Sequence, residues 1–390
     1  MPKLIRITTV PMALRYLLPG QMRFMTENGF DVLMISADGK ELKESIEKEG
    51  CPHIIVPMTR KITPFRDLQC LFKLINIFKK EKPDIVHTHT PKAGILGMMA
   101  AKYCGVKIRI HTVAGLPMMV EKGWKYRLLR FVEKRTYAAA NHVWPNSNSL
   151  LQVITDLKLC DPKKLCVIGN GSTNGIDVNF FDKGSLDAQL LNKIKTSINY
   201  ESQNKYLLFI GRLVADKGIV ELLNVFASLQ QTDEALRLIL VGDHEATLDP
   251  LPDDTIKQIE NNPSVIHINW TDDVKYYMAI AGLFVFPSHR EGFPNVLLQA
   301  GAMALPVICS RIAGNVDIIT HNETGLIFDR GDQQQMQEQI QFALNNVDKV
   351  KTMANNLNKK VREDYRRENI WQNILAAYKE ITNRQSAIGK

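Results

Sequence analysis

Cysteine is sparse and scattered in this 390-residue chain: Cys51, Cys70, Cys104, Cys160, Cys166 and Cys309, with no C-x-x-C spacing among them. That pattern argues against a zinc cluster or a disulfide frame and leaves reduced thiols used for packing. No apolar stretch approaches the roughly 20 residues that a membrane span needs. The first segment, Lys3 to Val10, reads as a β-strand, because its apolar run is too short for the core of a signal peptide. Low-complexity segments and short-period repeats are also missing, so the sequence reads as globular from end to end.

What is present describes a protein with large cores. Hydrophobic residues make up 45% and charged residues 23% of the chain. The length is too great for one ordinary domain, and two of about 190 residues suit it better. Charge divides unevenly between the halves. Residues 1–190 hold 28 Lys and Arg against 17 Asp and Glu, whereas the remainder holds 21 against 24, which together give the net +8. A basic half joined to a mildly acidic one suggests that the first faces an anionic surface or substrate.

Short apolar runs alternate with helical patterns throughout, the mark of α/β architecture with parallel sheets covered by helices. Strands are predicted near 3–9, 31–36, 53–56, 84–88, 107–112, 142–145 and 165–168, then near 206–210, 236–241, 265–268, 283–286, 306–309 and 326–328. Polar, weakly patterned residues at 183–203 mark the expected boundary. The expected units are a Rossmann-like domain over 1–183, a second over 184–365, and a last helical segment over 366–390. In that segment Ile370, Trp371, Ile374, Leu375, Tyr378 and Ile381 share one face.

Two loops carry the chemistry. Gly211-Arg212-Leu213-Val214-Ala215-Asp216-Lys217-Gly218 follows the apolar run Tyr206 to Ile210 and opens a helix. Arg290-Glu291-Gly292-Phe293-Pro294-Asn295-Val296-Leu297-Leu298-Gln299 follows the run Leu283 to Pro287 and opens another. Both sit at the carboxyl ends of expected parallel strands, where α/β folds bind ligands. One loop supplies two cations, Arg212 and Lys217. The other supplies a carboxylate, glycine-freed amides and a helix N-terminus. Together they form a kit for holding a diphosphate and its attached sugar.

On these loops, and nearly end to end, the chain resembles the retaining family-four glycosyltransferases of GT-B fold. Its G-R-x₄-K-G turn and its Glu291-to-Gln299 segment match that family's two donor loops. Asp84-Ile85-Val86-His87-Thr88-His89-Thr90-Pro91-Lys92-Ala93-Gly94, Ile110 to Leu116 and Asn174-Gly175-Ile176-Asp177 are family-like as well. The resemblance implies two Rossmann-like domains with an interdomain cleft and a last helix that crosses back to the first. It places donor phosphates on Gly211, Arg212 and Lys217, and the donor sugar on Glu291, Gly292, Phe293, Pro294, Asn295 and Val296. The nucleobase is expected near Trp270 to Val274, flanked by Gly242 and Asp243.

Several positions depart from the family. Gln299 stands where a second Glu usually holds the ribose; it can still hydrogen-bond but lacks the charge. Ala114 occupies the place of a histidine that many relatives carry, so no catalytic histidine transfers cleanly; His111 reads either as a contact to the donor sugar in the catalytic site or as a strand-end histidine satisfied within the fold. The tight glycine turn after the first strand is replaced by Leu18-Pro19-Gly20-Gln21, with Gly20 as the expected amide donor near the reaction centre. Lack of a K-x-G-G turn argues against a glycogen or starch synthase. His89 and Lys92 are the expected contacts to an anionic acceptor. The chain contains no D-x-D pair, so no metal or other cofactor is expected, and Arg212, Lys217 and a helix dipole are assigned to the departing diphosphate.

Two basic amphipathic stretches, Arg66 to Lys82 and Trp124 to Arg135, read equally as core-facing helices or as helices lying on anionic lipid. With the basic first half they favour a cytoplasmic enzyme docked on the inner face of the cell membrane. The expected reaction moves a sugar from a UDP-sugar to a polyprenyl-diphosphate-linked saccharide in capsule or O-antigen (lipopolysaccharide) assembly. A UDP-sugar 2-epimerase and an inactive nucleotide-sugar-binding protein remain alternatives. Nucleic acid is not an expected partner, since no nucleic-acid module accompanies the positive charge.

Overall fold

The computed structural model describes residues 1–245 and 249–388. Two compact units account for them: Met1–Asn174 together with Arg367–Lys390, and Gly175–Arg366. The division falls at Asn174, ahead of the boundary expected at 183. Residues beyond it belong to the second unit because Ile176, Val178, Phe181, Ile194 and Ile198 are buried in its core. The segment read as a linker instead carries the helix Ala188–Ser197, capped by Asp187, whose carboxylate accepts from the Leu190 amide at 2.8 Å.

The first unit is built on six parallel strands: β1 Lys3–Ile7, β2 Asp31–Ser36, β3 His53–Ile55, β4 Ile85–His89, β5 Ile108–Val113 and β6 His142–Pro145. Their order is β3-β2-β1-β4-β5-β6. Alternate residues of β1 sort to opposite faces, as the pleat requires. Leu4 joins one apolar cluster with Met22, Trp144 and Tyr378, while Ile5 and Ile7 join the other with Leu74, Met98 and Leu150. The last helix, Arg367–Ile388, completes the Leu4 face by burying Ile370, Ile374, Leu375 and Tyr378. No strand forms at 165–168; Leu165 makes only an isolated bridge to Val143. Leu165 follows directly on the helical turn Pro162–Lys164, and the chain turns again at Gly169.

The second unit repeats the plan with β7 Lys205–Ile210, β8 Leu236–Val241, β9 Val265–Ile268, β10 Leu283–Phe286, β11 Val307–Ser310 and β12 Leu326–Phe328, in the order β12-β11-β10-β7-β8-β9. Both sheets are therefore doubly wound. In each, the chain reverses direction of growth between the first and fourth strands: between β1 and β4, and between β7 and β10. Connections from those two strands leave on opposite faces, which opens a crevice at their carboxyl ends. Among the described residues, no helix is long and apolar enough to cross a membrane.

Candidate active site

The loops after β7 and β10 flank the switch point of the second sheet, and several contacts tie them together. Lys217 reaches Glu291 in a direct ion pair whose two side chains are about 15% exposed. Asp216 accepts from Arg290 at 2.9 Å, and the His289 amide donates to the Asp216 carbonyl at 2.9 Å. Close approach of the loops depends on Gly218, which adopts φ +70° at the end of a short 3₁₀ turn. A β-carbon there would run into the carbonyl oxygen of Pro287.

Glu291 is oriented by a buried polar relay. The Ser288 hydroxyl donates to Glu291 Oε1 at 2.9 Å. Ser310 donates to the Ser288 carbonyl at 2.5 Å, and Asn315 donates to the Ser310 carbonyl at 2.9 Å. Ser288, Ser310 and Asn315 are all fully buried. Next in the loop, His289 pairs with Glu221 at 2.9 Å, and that hydrogen bond raises its pKa against an opposing desolvation. The ion-pair part of this contact is present while the imidazole is protonated and is lost as pH rises through the raised value.

Arg212 is half exposed and pairs with Glu245 at 2.5 Å. Gly292, Phe293 and Pro294 are buried ahead of the helix Asn295–Ala302, and Phe293 packs on Tyr365 with ring centroids 5.3 Å apart. Asn295, Val296 and Gln299 are half-buried on that helix. Trp270 stands 51% exposed, its amide held by the Asp243 carboxylate at 2.8 Å, just before the helix that begins at Val274. The loops after β8 and β9 are thereby joined beside the loop after β7.

In the first unit three of the expected site residues are engaged within the fold. His111 is buried; its Nδ1 pairs with Thr88 Oγ1 at 2.8 Å, and its ring fills the space left by Gly94. Burial lowers its pKa to about 4 and keeps it neutral. It is a core histidine rather than one presented to a ligand. Lys92 pairs with Asp67 at 2.7 and 2.8 Å, with a further contact to the Lys61 carbonyl. Gly20 does not present its amide outward. That amide donates to Glu49 Oε1 at 2.5 Å, and Glu49 also takes the amides of Met22 and Arg23.

His89, by contrast, keeps its hydrogen-bonding capacity. It ends β4 at the switch point of the first sheet, stacks on His87 with centroids 4.3 Å apart, and is 2% exposed. Among the described residues, neither ring nitrogen has a hydrogen-bond partner, a costly state for a buried imidazole. Beside it, Thr90 adopts φ +72°, held by the Thr9 amide at 3.1 Å and the Thr9 hydroxyl at 2.7 Å. Beneath it, Arg6 contacts Tyr378, Gln21 and His87 in a buried network.

Comparison with known proteins agrees with this geometry. Residues 191–362 match the family described as glycosyl transferases group 1, and residues 20–171 match a glycosyl transferase 4-like domain. The capsular polysaccharide biosynthesis glycosyltransferase CapM of Staphylococcus aureus is 34% identical over 377 residues, 96% of each chain. The chain belongs to the group 1 glycosyltransferases. Another relative of this glycosyltransferase is the UDP-Gal:alpha-D-GlcNAc-diphosphoundecaprenol alpha-1,3-galactosyltransferase of Escherichia coli, 26% identical over 80% of this chain and 79% of its own. The fold is GT-B: HepE of Anabaena, solved in complex with UDP and glucose, superposes with a TM-score of 0.81 over 97% of this chain and all of that one, at 18% identity.

In this glycosyltransferase the Ser288 relay invites a direct test. Ser288→Ala should lower kcat by about tenfold or more, the range for a hydrogen bond to a charged group, while melting changes little. Unchanged kinetics with a lowered melting temperature would assign Ser288 to packing alone.

Proposed function

We propose that the chain is a metal-independent, retaining glycosyltransferase. It moves a sugar from a UDP-sugar to a polyprenyl-diphosphate-linked saccharide in capsule or O-antigen assembly, on the cytoplasmic face of the cell membrane. The observation that carries this reading is the Lys217–Glu291 pair across the loops after β7 and β10. A diphosphate competes with Glu291 for Lys217 and with Glu245 for Arg212, and the released Glu291 carboxylate accepts from a donor-sugar hydroxyl. As the glycosidic bond to the diphosphate breaks, the two cations take up the charge growing on the leaving oxygen, the role a metal fills elsewhere. Trp270 is assigned to the nucleobase side and His89 to the acceptor side, while Lys92, Gly20 and His111 are left out of the chemistry.

Support for the substrates comes from relatives. The Escherichia coli enzyme is named for a UDP-galactose donor and a diphosphoundecaprenol-linked acceptor. A Campylobacter jejuni relative, 24% identical over 82% of its length, is named as acting on a diphospho-undecaprenol-linked sugar. Support for membrane docking comes from the basic first half and its exposed aromatic rings.

The deciding experiment offers a panel of UDP-sugars with and without a lipid-linked acceptor, in the presence of a metal chelator. The expected result is UDP release and a lengthened acceptor only when both substrates are present. Conversion of a UDP-sugar alone to its epimer would replace the proposal with a 2-epimerase. Binding without turnover of any donor would leave a nucleotide-sugar-binding protein.

A further inference from the structure

Among the described residues, seven large aromatic side chains are well exposed, and five lie on three consecutive helices of the first unit. Phe65 and Phe72 are on the helix Pro64–Glu81, Tyr103 ends the helix Pro91–Tyr103, and Trp124 and Phe131 are on the helix Gly123–Ala139. Leu68 and Met99 add to the same faces. Between these side chains stand exposed Arg66, Lys73, Lys79, Lys102, Lys125, Arg127, Lys134 and Arg135. The carboxylates of these helices are withdrawn: Asp67 pairs with Lys92, Glu81 with Lys3, and Glu133 is buried. A surface that is apolar, aromatic and of one charge sign does not suit bulk water and does suit an anionic bilayer.

The second and third helices of this face enclose a groove of about 530 Å³ lined by Met99, Lys102, Tyr103, Phe131, Val132 and Arg135, among others. Its floor is apolar, its only charged lining residues are the two cations, and the Arg135 guanidinium lies over the Phe131 ring at 4.9 Å. We infer that this groove seats one anionic phospholipid of the bilayer, its phosphate between Lys102 and Arg135 and an acyl chain along Met99, Tyr103, Phe131 and Val132. It is not the acceptor's seat. The helix Pro91–Tyr103 starts beside His89 and runs 13 residues, about 20 Å at 1.5 Å per residue. The groove therefore lies at the end of the unit away from the carboxyl ends of the strands.

This inference rests on the proposal that the enzyme works docked on a membrane, and the test separates the two. The whole protein is mixed with phosphatidylcholine vesicles, with or without phosphatidylglycerol bearing a photoreactive acyl chain. The variants are Met99→Ser with Phe131→Ser, and Lys102→Ser with Arg135→Ser; all four side chains are exposed, so melting should not change. The expected result is cross-linking within residues 95–103 and 131–139, and vesicle binding weakened about tenfold or more by loss of both cations. Wild-type-like binding by both variants, with labels elsewhere, would overturn the groove and leave docking standing. Equal binding to neutral vesicles would remove the headgroup contact and overturn it too. No binding to anionic vesicles would overturn both.

Discussion

Lys217→Ala is expected to cut glycosyl transfer by two to three orders of magnitude, about the effect of removing one preorganised charge-stabilising group from an active site. Two losses combine. The ammonium that meets the departing diphosphate disappears, and Glu291 is left half-buried with Ser288 as its remaining hydrogen-bond donor. Glu291→Gln should separate these roles. It keeps the shape, frees Lys217 for phosphate, and is expected to lower kcat while UDP binds as well as before or better. Because the two residues act as a unit, the double variant should be little worse than the poorer single one. Isothermal titration with UDP and steady-state kinetics decide the matter. Unchanged turnover in Lys217→Ala with an intact melting curve would remove the residue from the site and the mechanism with it.

Glu133→Gln is expected to stabilise the protein, and only above acidic pH. Glu133 lies on the helix Gly123–Ala139 at 4% exposure, and burial raises its pKa to about 7 against a smaller opposing influence from Tyr137. Below the ordinary value of 4.5 the residue is protonated in both folded and unfolded chains and costs nothing. Between 4.5 and about 7 the unfolded chain gives up its proton more readily, so stability falls as pH rises; above about 7 the penalty is constant. A shift of that size corresponds to about 3 kcal/mol, at 1.36 kcal/mol per pH unit. The glutamine variant should therefore melt roughly 6–12 °C higher near pH 8 and almost identically near pH 4.5, given ~2–4 °C per kcal/mol for a unit of this size. A difference in melting temperature independent of pH would show that packing, not titration, is responsible.

The fold and the paired loops after β7 and β10 were legible because both are written locally. Apolar runs such as Tyr206 to Ile210 and Leu283 to Pro287 are short, β-rich and bounded by turn residues, and their order alone places them at a switch point. Lys217 and Glu291 were visible as a cation and a carboxylate at such positions. What could not be read was which polar group each would find across space. His111 and His89 look alike in sequence, each near the expected end of a strand, yet only the structure shows that Thr88 pairs with the first and that, among the described residues, nothing pairs with the second. Lys92 looked available until Asp67, far off in the sequence, met it. Ser288, Ser310 and Asn315 gave no sequence signal, since a serine before a charged loop is commonplace. At 165–168 the apolar pattern was read as a strand, but only Leu165 bridges Val143.

The last helix has a consequence for how the protein is made. Tyr378 contacts Arg6 and His87 in the middle of the first sheet, and Ile370, Ile374 and Leu375 cover one side of it. A ribosome delivers those residues after the second unit, so residues 1–174 wait, with one sheet face unroofed, while residues 175–366 are synthesised and fold. Whatever shields that face in the interval, the first unit gains its finished form only once this helix has been made.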